Sequence, residues 1–185
     1  MSRITDYFLR AKHWQMFLLL TGMFCIAGFA TWTTAPPTGN LEGIGLFSLL
    51  IVGPVEFWFL FWLWSLGTFF RSMVPPALRL NLGFFRFALI YPALYLLVFM
   101  IFFQSQSVLL FAVIVPLHLF AMFCMFYSLY FVSKSLALAE TGEPVSFYNY
   151  AGPFFLIWYF PIGVWIIQPR VNRLYAASKS RATLE

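Results

Sequence analysis

The stretch FFLIWYFPIGVWIIQPRVNRLY, residues 154–175, decides how the whole chain is read. It resembles a last membrane-crossing helix, yet Pro161 interrupts it and Arg170 and Arg173 close it. With Ala151, its apolar part counts roughly 15 residues, which as a helix reach about 22 Å. The hydrocarbon core of a bilayer is about 30 Å thick. If the segment crosses, the chain has five spans; if it turns back, the chain has four.

The rest of the sequence makes a membrane the relevant solvent. Of 185 residues, 62% are hydrophobic and 9% charged. A soluble domain carries about 25% charged residues to build its water-facing surface. The apolar runs are continuous rather than alternating, which excludes a β-barrel and points to an all-α integral membrane protein. Spans are expected at about 14–33, 44–70, 87–103 and 108–132. The second is long for a bilayer, so a tilt or a kink at Gly53–Pro54 is expected. The helical pattern of the fourth continues past the bilayer to a stop at Thr141–Gly142. Turns fall at 34–43, which holds Pro36–Pro37, and at QSQS, 104–107. Residues 71–86 read as an interfacial connector. Residues 2–12 read as an amphipathic lead-in, with Tyr7 and Phe8 at the headgroup level. The first apolar segment has no small-residue cleavage pattern behind it and is expected to stay as a helix.

Charge placement then favours four spans. The chain holds 11 Lys and Arg residues and has a net charge of +5. Arg3, Arg10 and Lys12 precede span one. Arg71, Arg79 and Arg86 lie between spans two and three. Lys134 follows span four, and Arg170, Arg173, Lys179 and Arg181 follow the opening stretch. With four spans and a cytoplasmic amino terminus, all of them lie inside; any five-span arrangement divides them. The positive-inside rule prefers the first. Residues 151–168 are then a re-entrant helix–break–helix that begins at Gly152–Pro153 and turns near Pro161–Gly163. The alternative is a short fifth span. Residues 169–182 follow as an interfacial helix with Pro169 in its first turn. This topology places both termini in the cytoplasm and the chain in an inner (plasma) membrane. Arg71, Arg79, Arg86, Arg170 and Arg173 are expected at lipid headgroups.

Only one acid, Glu56, and one histidine, His118, lie deep in a span. Counted at 1.5 Å per residue from the outer helix ends, both are about 15–18 Å down. Tyr91, Tyr95 and Thr21 fall in the same layer, and Pro54, Pro92 and Pro116 lie near it. Two readings stand side by side. The layer is helix–helix glue, with Glu56 bonded to His118 or a tyrosine. Or it is a binding or proton-linked site between kinked helices.

The densest aromatic patch is FWFLFWLW, residues 57–64. On a helix, Phe57, Phe61 and Trp64 share one face and Trp58 and Trp62 another. The patch is either lipid-facing and packing surface or a stacking pocket for an apolar or aromatic ligand such as a lipid, quinone or pigment. Cys25 and Cys124 sit inside apolar runs, as buried hydrophobes do. His13 lies at a span boundary and His118 lies deep, so they cannot pair as haem ligands. No phosphate loop, HExxH or nucleophile elbow occurs. The sequence therefore predicts a non-enzymatic protein without metal or cofactor and without nucleic-acid partners. The expected partners are the bilayer and either further copies or other membrane subunits. The expected role is a channel-like oligomer or accessory subunit of a membrane complex; the alternative is a small carrier that uses the Glu56/His118 layer.

Overall fold

Helix starts and stops follow local chemistry along the chain. A computed structural model describes residues 3–34, 42–102 and 108–182. All regular structure among them is helical. Helix α1 (Arg3–Arg10) ends before Lys12, whose extended backbone separates it from α2 (His13–Phe17). The Lys12 N–H donates to Gln15 Oε1 at 2.8 Å, which caps α2. A π-helical turn, Leu18–Gly22, leads into α3 (Met23–Thr34). Helix α4 (Glu42–Met73) carries Pro54 inside it. A short 3₁₀ turn, Pro76–Leu78, precedes α5 (Leu82–Phe102).

Both ends of the connector differ from expectation, since α4 runs on to Met73 and α5 starts at Leu82. Residues 82–86 belong to α5 rather than to the connector, because Asn81 acts as its cap. Asn81 Oδ1 accepts the N–H groups of Gly83 at 2.8 Å and Phe84 at 3.3 Å. Helix α6 (Val108–Thr141) has the expected 34 residues and stops at Gly142, whose φ of 71° suits glycine. The turns expected at 34–43 and 104–107 fall mainly on 35–41 and 103–107, outside the described residues.

Aromatic pairs give the register. Phe85 stacks on Phe131 with centroids 4.0 Å apart, and Tyr95, further along α5, meets His118, earlier on α6, at 5.5 Å, so α5 and α6 run antiparallel. Gly67 of α4 completes this layer. A Cβ there would come within 2.7 Å of Phe85 Cε1, so only glycine admits the ring. Trp62, Leu66, Phe70, Phe85, Phe131 and Leu136 are fully buried, all near the connector end of the bundle. Toward the far end, Leu94, Val98, Val113 and Leu119 are exposed.

Two helices among the described residues are long and apolar enough to cross a membrane, α5 over Leu82–Phe99 and α6 over Ala112–Thr141. Only 22% of each of these segments is buried, whereas a soluble protein's core helix is mostly buried. Their apolar surface faces outward.

The opening stretch forms a helical hairpin. Helix α7 (Phe147–Trp158) and α8 (Phe160–Ala182) meet at Tyr159, whose φ of −86° and ψ of 56° break the helix. The break precedes the expected one at Pro161–Gly163. Pro161 lies in the first turn of α8, where its missing N–H costs nothing. The Gly163 N–H closes that turn on the Tyr159 carbonyl at 2.9 Å. Helix α7 begins at Phe147, not 151, because the Ser146 N–H donates to Asn149 Oδ1 at 2.9 Å and caps it. Gly152 and Pro153 lie inside α7 and mark no boundary. Pro169 likewise starts no separate helix; α8 runs through it to Ala182.

The hairpin returns to the end it left. Phe126 of α6 meets Trp158 at 5.4 Å, and Tyr130 meets Tyr150 at 5.6 Å, so α7 runs antiparallel to α6. Phe160 packs on Trp62 at 5.3 Å and Tyr175 on Phe69 at 5.7 Å, so long aromatic side chains of α8 reach α4 at two points. Arg170 then grips Glu140 at the end of α6 through two parallel hydrogen bonds, one of them Nε to Oε1 at 2.8 Å. Beside it lies α1. Phe8, expected at a headgroup level, is fully buried against Trp58 at 5.6 Å, because the hairpin and α4 close around it.

Candidate functional site

Three features of this bundle carry polar chemistry: the layer anticipated from sequence, a groove between α4 and α5, and the junction that holds the hairpin.

The layer exists as a level but not as one cluster. From the plane of Gly67, Phe85 and Phe131, Glu56, Tyr95 and His118 lie 11, 10 and 13 residues along their helices, or about 15–20 Å. The structure brings together His118 and Tyr95, with Nδ1 and the hydroxyl 3.1 Å apart. Tyr91 donates to the Leu117 carbonyl at 3.3 Å and stacks on Tyr95 at 6.5 Å. This ladder lies on an outward surface, with His118 exposed between exposed Leu117 and Leu119.

Glu56 does not join it. It follows the stripe of Leu60, Leu63 and Gly67, the face of α4 that packs into the core. It is half-buried and makes no hydrogen bond or ion pair among the described residues. Thr21 lies in the π-helical turn, and its buried hydroxyl has no hydrogen-bond partner there. Sequence spacing gives depth along a helix. It does not give the direction a residue faces, which depends on how neighbouring helices rotate.

The groove is the second feature. Phe57, Phe61 and Trp64, predicted to share a face, line it with Leu89, Ile90 and Leu97 across from them. Its volume is about 320 Å³. Arg86 lies over the Trp64 ring at 5.4 Å. The other two arginines of this region have structural partners. Arg71 Nε donates to the Leu80 carbonyl at 3.0 Å, and Arg79 Nε to the Val74 carbonyl at 2.9 Å. Arg170, also expected at headgroups, is taken by Glu140, while Arg173 is exposed.

The third feature escaped the sequence reading. Gln168 is fully buried. Its Nε2 donates to the carbonyls of Phe8 at 2.8 Å and Ala11 at 3.0 Å, and its Oε1 accepts from Trp62 Nε1 at 3.3 Å. Asn172, one turn on, donates to the Leu9 carbonyl at 2.9 Å. These amides satisfy the carbonyls at the frayed end of α1, which has no helical partner for them. A glutamine next to a proline inside an apolar run was the available signal.

Asp6 completes the junction. It accepts a hydrogen bond from the Tyr175 hydroxyl, pairs with Arg10 at 2.9 Å and faces Lys179 at 4.0 Å. The Tyr175 hydroxyl chiefly, then the two cations, hold the Asp6 carboxyl below its ordinary value of 3.8. Because the folded value is depressed, this contribution is complete above the ordinary value and fades as pH falls through the lowered one. We therefore expect the melting temperature of Asp6→Asn to lie below wild type at neutral pH and to converge on it in acid below the ordinary carboxylate range. A gap that stays constant with pH contradicts this.

Among the described residues, no three His, Cys, Asp or Glu side chains gather as a metal site. Comparison of the chain with known protein families, curated proteins and solved structures returns no match.

Proposed function

We propose that the chain is a four-span inner-membrane protein, with both termini cytoplasmic and residues 147–182 re-entering from that side. It acts as a non-enzymatic subunit of a larger membrane assembly, either a channel-like ring of its own copies or an accessory subunit. The observation that carries this reading is the outward-facing His118–Tyr95–Tyr91 ladder. In the four-span arrangement it faces away from the bundle near mid-membrane. Polar groups turned toward lipid tails are costly, and such residues almost always face protein or a water-filled cavity. A neighbouring subunit across α5 and α6 provides that cover. The charge census supports the topology, and the outward apolar surface of α5 and α6 supports a bilayer around it.

Native mass measurement in mild detergent tests the reading. The wild type is expected as a dimer or larger assembly, and His118→Leu is expected to shift it toward the monomer or release the partner. A wild-type chain that is monomeric, with no co-purifying membrane subunit, contradicts the proposal. A reporter fused to the carboxyl terminus is expected to score cytoplasmic. The second reading, a carrier for a protonatable ligand, is favoured by Glu56 on the core-facing stripe of α4 without a partner. It requires Glu56→Gln to abolish ligand flux while leaving assembly unchanged.

A further inference from the structure

We propose that the groove between α4 and α5 is a binding site for one anionic phospholipid of the cytoplasmic leaflet, with its phosphate on Arg86 and an acyl chain along the aromatic wall. The inference rests on the membrane topology proposed above.

Charge, shape and length agree. The walls are apolar throughout, with Phe57, Phe61 and Trp64 on one side and Leu89, Leu94 and Leu97 on the other. Among the lining residues only the Trp64 indole N–H can hydrogen-bond, which leaves a polar metabolite few partners. Arg86, exposed and lying over the ring of the lining Trp64 at 5.4 Å, brings a formal charge to that end of the groove. Arg86 has no carboxylate partner among the described residues, whereas Arg170 and Arg10 each have one. Its guanidinium is thus free for an anion, and its planar fork matches the oxygens of a phosphate. The contact with the Trp64 ring keeps the guanidinium at that end of the groove. Arg71 and Arg79 do not compete for the phosphate through Nε, because each already donates that proton to a backbone carbonyl.

The length selects a lipid chain. From Arg86 to Leu97 is 11 residues of α5, about 16 Å. One leaflet of a bilayer contributes half of a roughly 30 Å core, about 15 Å. The groove therefore runs the depth of one leaflet, with its charge at the end where a cytoplasmic headgroup sits. Phe57 and Phe61 also line a second hollow of about 320 Å³ with Ile4, Pro54 and Trp58, which gives a second chain a place on the far side of the same aromatic edge.

The test uses the full chain in bilayer discs of equal phosphatidylcholine and phosphatidylglycerol, followed by native mass spectrometry of the lipid it retains. Wild type is expected to keep one phosphatidylglycerol per chain, preferred about tenfold over phosphatidylcholine. Arg86→Gln is expected to bring that preference to about twofold or less. Arg86→Lys keeps the charge and is expected to retain part of the preference. Ala93→Phe narrows the groove and is expected to reduce retention of both lipids. Equal retention of the two lipids by wild type overturns the inference. So does an Arg86→Gln variant with undiminished preference and wild-type helicity, or an Arg86→Lys variant as impaired as Arg86→Gln. Alkaline carbonate extraction separates this from the underlying reading. A chain washed off membranes refutes the topology, while a chain that stays embedded without lipid preference refutes only this site.

Discussion

Gly163→Ala is expected to unfold the hairpin. A Cβ at this position would overlap the carbonyl of Leu156 and reach 2.8 Å from its Cα. These are backbone atoms of the facing helix, so no rotamer change relieves the overlap. Overpacking in a core costs about 1–3 kcal/mol when side chains can adjust, and occasionally more. With a backbone obstacle we expect about 3 kcal/mol or more, seen as a fall in melting temperature and as protease cleavage near Tyr159. Gly152→Ala is the internal control. It lies in the same hairpin, yet a Cβ there meets no atom within 4 Å. Glycine inside a helix is worse than alanine by roughly 0.5–1 kcal/mol, so Gly152→Ala is expected to stabilise slightly. Equal destabilisation by both substitutions would show that the close approach of α7 and α8 is not what the hairpin depends on.

Gln168→Leu is expected to be the other severe change. The substitution keeps the volume and removes every polar atom. It leaves the buried Trp62 N–H and the Phe8 carbonyl without the partner they have in the native junction. The Ala11 carbonyl keeps a weaker bond from Asn172 at 3.3 Å. Each unsatisfied buried group costs about 1–3 kcal/mol, so a loss of about 3 kcal/mol is expected. The amino-terminal helix should loosen first, because only side chains tie its carbonyls to α8. Protease sensitivity after Arg10, with α5 and α6 still protected, is the specific readout. A double-mutant cycle sharpens the test. Trp62→Phe in the Gln168→Leu background should cost less than Trp62→Phe alone, since the indole N–H is already orphaned. Additive effects would mean that the 3.3 Å contact carries no energy.

The two substitutions also show where sequence reasoning reached and where it stopped. The end of α6 was legible, whereas the starts of α5 and α7 and the break at Tyr159 were not. The stop of α6 at Gly142 follows from one glycine with a left-handed φ, and the aromatic face of Phe57, Phe61 and Trp64 follows from helical spacing. These features depend on residues a few positions apart. Similar distances along their helices for Glu56, Tyr95 and His118 were countable from the sequence. Their directions were not. His118 found Tyr95 on the outside, and Glu56 stayed on the inner stripe, because the rotation of α4 relative to α6 is set by Gly67, Phe85 and Phe131 far down the bundle.

The sequence by itself determined that the protein is helical and apolar, roughly where its long helices α5 and α6 run, and that a proline interrupts 154–175. Periodicity, proline and glycine act over one or two turns, so they can be read in order along the chain. Only the tertiary structure decided that the chain reverses at Tyr159 and that Gly163 rests on the backbone of Leu156. Only it buried Phe8 and set Gln168 as the bolt between the first helix and the last. Those contacts join residues up to 160 positions apart, and nothing local in either partner encodes the other.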